Sequence, residues 1–363
     1  MDPRIREHAE IIVDHSTGVE QGDNVVISTP PAAEDLAVAL HEVVGDRGAS
    51  PFHVASNARA GRAYLRAIDD EDIETPTHAK ALYEESDVVI RVRGEGNATE
   101  QSDVAPETQA AHTKARRPVQ EATLSKQWCL TQYPTQGHAQ LAGMSTEGYE
   151  NFVYDAVNKD WDAQREHQAR MIDILDPASE VRIKSGDTTD VTMSVDGMKT
   201  INDYAEHNLP GGEVFTAPVV DSVEGEVLFD KPLYHQGREI TGAHLVFEAG
   251  EVVEHSADQN EDLLTEVLDT DAGARRLGEL GIGMNRDIDR FTYNMLFDEK
   301  MGDTVHMAIG RAYDECVGED REANQSAVHL DMIVDMSEDS FIEVDGDIVQ
   351  RDGAFRFEDG FEG

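Results

Sequence analysis

Apolar positions along the chain recur at helical and strand spacing in alternation, and then at strand spacing almost alone. Over residues 3–20, Ile5, Ala9, Ile12 and Val13 fall on one stripe and predict an amphipathic helix. NVVISTP (24–30) reads as a short strand, AEDLAVALHEVVGDRG (33–48) as a helix ending at a glycine, SPFHVAS (50–56) as a strand and ARAGRAYLRAI as a helix. SDVVIRVRG (86–94) and WCLTQYP (128–134) are further strands with helical pattern between them. Such alternation predicts a wound α/β domain with a parallel sheet, closed by a long helical segment from Thr146 to about Leu175. From about residue 180 the texture changes. VRIKSGDTTDVTMSVDGM, VDSVEGEVLFDKPL and TGAHLVFEAGEVVEHS alternate apolar and polar residues between Gly and Asp turns, the pattern of antiparallel β. One helix interrupts at about 260–276. The boundary falls near 178–182, separating an α/β N-terminal domain (1–180) from a mixed, mainly antiparallel α+β C-terminal domain (181–363).

Two strands of the second half carry candidate chemistry. In VHMAIG, His306, Ala308 and Gly310 share one face, and in AVHLDMIV, His329 and Asp331 do the same. A single H-x-D strand is an ordinary polar surface face. Two strands so close in the chain also suit a metal, which needs nitrogen and oxygen donors on stiff backbone. Glu213, in HNLPGGEVFTAP, follows two glycines and is bracketed by Pro210 and Pro218. Glu279, in RRLGELGIGMN, shares its face with Gly281 and Gly283, which leaves room for an ion beside the carboxylate. Either residue alone, in so acidic a chain, also reads as a surface carboxylate.

Charge narrows the partners. Asp plus Glu number 74 against 30 Lys plus Arg, a net of −44 spread along the whole length. Such a surface repels nucleic acid and anionic membranes. It suits concentrated salt, which screens repulsion to about 3 Å at 1 M, and so predicts a cytoplasmic protein of a salt-in halophile. The two cysteines, Cys129 and Cys316, form no disulfide framework, and no apolar stretch is long enough for a membrane span. Familiar motifs fail. TPPAAED after the first strand has no glycine for a dinucleotide, HEVVG lacks the second His of a zinc-protease helix, and no G-x-S-x-G elbow occurs. VDGDIV (344–349) lacks the ligand spacing of a calcium loop and reads as a hairpin turn.

NLPGGEVFTAP, LGELGIGMN, LFDEKMGDTVHMAIGRAY and NQSAVHLDMIV, in that order, resemble the signature of the thermophilic-type metallo-aminopeptidases, peptidase family M29 (the aminopeptidase T and S type). The resemblance spans essentially the whole chain. It implies a two-metal site formed by Glu213, Glu279, His306, Tyr313, His329 and Asp331, holding two divalent ions from among zinc, cobalt, manganese and magnesium. Tyr313 comes from the resemblance alone. Leu330, where many relatives carry an aromatic, points away from the site and bears on packing. The implied activity is release of N-terminal amino acids from peptides by a metal-activated water, with Glu213 and Glu279 as candidate proton carriers. A homodimer is implied too. Two other readings compete: a two-metal phosphoesterase, for which Arg311, Arg275 and Arg276 would have to serve the phosphate, and a non-catalytic metal-containing binding protein.

Overall fold

Runs of β-branched residues build the first sheet. In the computed structural model, which describes residues 2–235 and 238–362, Asn24–Thr29 and Val88–Arg93 lie side by side at its centre. Val25, Val26, Ile27, Val88, Val89 and Ile90 are all buried, as expected of strands covered on both faces. Ser50–Ala55 flanks this pair on one side, and Gln127–Gln132 followed by Asn208–Leu209 on the other. Every pairing is parallel. Helix Pro3–Glu10 continues into the π-helical Ile11–Ser16, and Ile5, Ala9, Ile12 and Val13 are buried as their stripe predicts.

The single helix expected over 146–175 is two, Thr146–Val157 and Trp161–Leu175. Asp160 causes the restart: its side chain accepts from the Ala163 amide at 3.0 Å, an N-cap that satisfies a donor a continuous helix would bond differently. Asn158 adds to the break by donating to the Arg4 carbonyl at 2.9 Å. The chain also divides here into two compact units. One takes residues up to Lys159 together with Ala205–Gly211, the other Asp160–Tyr204 together with the chain from Gly212 onward.

Among the described residues the second unit contains two large antiparallel sheets and a two-stranded ribbon, Leu233–His235 with Arg238–Ile240. The larger of the two large sheets has eight strands, in the order Glu251–Ser256, Ala243–Glu248, Glu224–Phe229, Thr189–Ser194, Glu180–Ser185, Ser340–Val344, Asp347–Arg351 and Ala354–Phe355. The hairpin expected at VDGDIV joins two of these, with Asp345 and Gly346 both at positive φ (50° and 89°), as a two-residue turn between strands requires. The smaller sheet runs His329–Asp335, Thr304–Gly310, Leu277–Gly283, Glu213–Thr216, Ile201–Asp203. One hydrophobic core joins them. Ile183, Val191, Phe229 and Leu245 enter it from the larger sheet, and Val214, Leu280, Ile282, Val305, Met307, Ile309, Met332 and Val334 from the smaller. Each such side chain contributes about 1.5–3 kcal/mol on burial. Leu330 is part of this core, on the packing side where the sequence places it. Strand periodicity sends the alternate residues of the smaller sheet to its opposite face, and that face is polar.

Candidate metal centre

Register decides which side chains meet on the polar face. Ala308 stands between Glu279 on one neighbouring strand and Asp331 on the other, so both carboxylates project beside a lone methyl group. His306 pairs with Gly281, Gly310 with His329, and Glu213 with Gly283. Glu213, Glu279, His306, His329 and Asp331 therefore share one face, on four adjacent strands.

Gly281 serves differently from the sequence reading. The space it leaves is taken by the imidazole of His306: a Cβ at Gly281 would lie 2.0 Å from Nε2 of that ring. The glycine makes a slot for a ligand side chain, and only through it for an ion. Lying there, His306 Nε2 is 3.2 Å from Glu279 Oε1 and 3.3 Å from Glu213 Oε2. His329 Nε2 is 3.6 Å from Glu279 Oε2 and 3.5 Å from Asp331 Oδ1. Its Nδ1–H donates to the Arg311 carbonyl at 2.8 Å, which fixes the ring and turns Nε2 to the carboxylates.

Charges alternate along the whole face. Glu299, Lys300, Glu213, His306, Glu279, His329 and Asp331 form an unbroken series in which each residue pairs with the next. Burial is the largest influence on His306 and opposes its charge, but Glu279, Glu213 and Asp331 outweigh it and raise the imidazole to about 10. His329 rises to about 9, again against burial, under the pull of Asp331 and Glu279. Burial pushes Glu213 and Glu279 above the usual carboxylate range. Asp331 sits below it, because His329 and His306 overcome its burial.

A cation fits this arrangement. Donor atoms of Glu279, His306 and Asp331 all lie within 4.8 Å of one another. Glu213 Oε2, Glu279 Oε2 and His306 Nδ1 are buried and take part in no hydrogen bond. Buried polar atoms without partners are costly, and a metal ion would satisfy the two carboxylate oxygens together. Imidazole nitrogen with carboxylate oxygen is a donor set that zinc, cobalt and manganese accept.

Tyr313 stands apart from the five. It precedes the short helical turn Asp314–Cys316 and is 44% exposed, off the sheet that carries the others. Its ring lies 4.8 Å from that of His329 and 6.0 Å from that of Phe215. Partial burial, with Glu279 and Asp331 nearby, raises its phenol above the ordinary value. A bound cation would reverse that effect.

Two contributors escaped sequence reasoning. Gln168 is fully buried and donates to the backbone carbonyls of Glu213 (2.8 Å) and Asp203 (3.0 Å), steadying the strand that carries Glu213. A glutamine mid-helix gives no sequence signal of this. Lys300 lies inside the quoted LFDEK motif, but nothing there shows that its side chain is buried against Glu213.

Imidazoles and carboxylates converging on one sheet face make this a candidate metal-binding protein, and the comparisons narrow it. The chain belongs to the family described as thermophilic metalloprotease (M29), which matches residues 1–355, and it is thereby a peptidase. Aminopeptidase T of Thermus aquaticus is 28% identical, covering 93% of each chain. Aminopeptidase PepS of Streptococcus thermophilus is 26% identical, over 96% of this chain and 95% of its own. The structure of wild-type AmpT from Thermus thermophilus superposes with a TM-score of 0.87 at 25% identity, over 98% of this chain and 99% of that one. A 2,5-dihydroxypyridine dioxygenase from Pseudomonas putida shares the fold at a TM-score of 0.61 and 14% identity.

Proposed function

We propose that the chain is a metal-dependent aminopeptidase that releases N-terminal amino acids from peptides at a two-metal site, with Glu213, Glu279, His306, Tyr313, His329 and Asp331 as ligands. The observation that carries this reading is the shared position of Glu279. Its two oxygens face different imidazoles, Oε1 toward His306 and Oε2 toward His329. Glu279 could thereby serve two donor sets: Glu213, Glu279 and His306 would hold one ion, and Glu279, His329 and Asp331 the other. When bound, such a pair of ions supplies Lewis acidity, polarising the scissile carbonyl and making a nucleophilic water available near neutral pH.

The chain's own residues do the rest. His329 is held ready by the Arg311 carbonyl, so its Nε2 reaches the site without rotameric search. The acidic character of this face favours the amino terminus of a peptide, which would limit cleavage to the first residue. Glu213 and Glu279 are the candidates to carry a proton to the departing amine. The phosphoesterase reading loses its arginines. Arg275 is bound to Asp269 and the Val252 carbonyl, Arg276 to the Val220 carbonyl and Glu251, and Arg311 lies beside Asp314.

The test is hydrolysis of leucine p-nitroanilide in molar KCl, after chelation and after return of zinc, cobalt or manganese. Activity should vanish with chelation, return with metal and be absent in His329→Ala. A folded, metal-loaded chain with no turnover would overturn the proposal. Size-exclusion in the same buffer tests the homodimer.

A further inference from the structure

Lys300 has no part in the reaction just proposed, yet its side chain is fully buried at the edge of the centre. The ammonium donates to Glu213 Oε1 at 3.0 Å, contacts Glu299 and lies 3.6 Å from Asp203 Oδ2. Burying a lone ammonium costs several kcal/mol, and carboxylates must surround it to offset that. Here they do.

The backbone arranges this contact. Gly283 pairs with Glu213 across the sheet. A Cβ at Gly283 would fall 2.0 Å from the Met301 carbonyl oxygen and 3.0 Å from the Lys300 carbonyl carbon. Only a glycine lets the Lys300–Met301 segment settle on the sheet opposite Glu213, within reach of its carboxylate. One oxygen of Glu213 is thereby taken. The other, Oε2, accepts no hydrogen bond and faces His306 Nε2 at 3.3 Å.

We propose that Lys300 is a positioning residue for the metal centre: by holding Glu213 Oε1 it turns Oε2 alone toward the site, so that Glu213 ligates one ion through one oxygen. This rests on the two-metal reading. It also makes the two sites unequal, because a fixed cation stands behind the ligand of one ion and not of the other. Without Lys300, Asp203 and Glu299 repel the Glu213 carboxylate and nothing fixes its rotamer.

The test is calorimetric titration of metal-stripped protein with zinc in 2 M KCl, with the visible spectrum of cobalt-loaded protein as a second readout. Wild type should take up two ions per chain. Lys300→Met should weaken one of them by about 10–100-fold, the range for loss of a group that orients a ligand, and leave the other within about threefold. The cobalt spectrum should change with it. Glu213→Gln should weaken the same ion, and the double variant should be no worse than Glu213→Gln, because Lys300 acts through that carboxylate. Lys300→Gln, whose amide still donates, should recover part of the affinity, and it carries the test should Lys300→Met fail to fold by circular dichroism. Two zinc ions held by Lys300→Met with wild-type affinity, or losses that add fully in the double variant, would overturn the inference alone. Fewer than two ions in wild type would overturn the two-metal reading and the inference with it.

Discussion

His8 beneath the parallel sheet and His306 on the antiparallel one are buried to the same degree, 0% and 1% exposed, and they behave in opposite ways. His8 bonds to Thr131 at 2.8 Å through Nε2, and burial drives its pKa down to about 3. His306, with three carboxylates around it, rises to about 10 despite equal burial. Burial by itself keeps an imidazole neutral and structural. Several carboxylates facing each imidazole in a buried setting are what separates this polar face from the surroundings of His8. The strands show the same contrast. Val25, Val26 and Ile27 run on without interruption, whereas Leu277–Gly283 and Thr304–Gly310, buried along their whole length, alternate apolar residues with Gly, Glu and His.

The largest expected effect breaks this comparison directly. His306→Gln should lower leucine p-nitroanilide hydrolysis by about 10³-fold or more in zinc-loaded protein, since a ligand and its hold on two carboxylates go together. His8→Gln should leave that rate within about threefold and cost about 1–3 kcal/mol of stability in urea melts. Equal losses of activity from both would show that the two imidazoles do not differ in kind. Next comes Gly281→Ala. Its methyl would sit 2.0 Å from His306 Nε2, so the ring must leave its slot. Activity should fall about 10²-fold, with an overpacking cost of about 1–3 kcal/mol. An active Gly281→Ala enzyme with wild-type zinc uptake would mean that the slot is not what sets the ring.

A third prediction reads the pH dependence of His8. Its folded pKa, about 3, lies below the unfolded value of about 6.5. Between those values the unfolded chain binds the extra proton, so the contribution is fully present above pH 6.5 and is lost as pH falls toward 3. From pH 7 to pH 5 this amounts to about 2 kcal/mol, and His8→Gln should lose that much less than wild type over the same interval. Parallel slopes in wild type and variant would mean that His8 takes up its proton while folded.

Much of this was legible beforehand, for local reasons. Strand and helix periods placed the parallel sheet and the antiparallel region, and adjacent glycines marked Glu213 and Glu279 as unlike the surrounding acidic surface. What escaped depends on contacts between distant residues. Nothing in LFDEKMGD marks Lys300 as buried, and its burial follows from Glu213 and Asp203 arriving from far along the chain. Gly281 reads as empty space because the ring that fills it belongs to a neighbouring strand. The break after Val157 was missed because the helical period carries on through Asp160, whose side chain caps the second helix.

The smallest predicted effect concerns the outer surface. Arg47 pairs with Asp14 through two hydrogen bonds, with 38% and 45% of the side chains exposed. Exposed pairs of this kind contribute little to stability. Arg47→Ala removes one of 30 cations from a chain of net charge −44, so repulsion among the remaining carboxylates adds to the loss at low salt. In 0.3 M KCl the variant should melt below wild type, and in 2 M KCl, where screening is tighter than the roughly 3 Å reached at 1 M, the gap should nearly close. The zinc affinity of the centre should depend on salt far less than this gap does over the same range, because its charges face one another at 3.2–3.6 Å on side chains that are largely buried. A gap that persists undiminished in 2 M KCl would mean that packing of the Arg47 stem, rather than charge, is what Asp14 helps to hold.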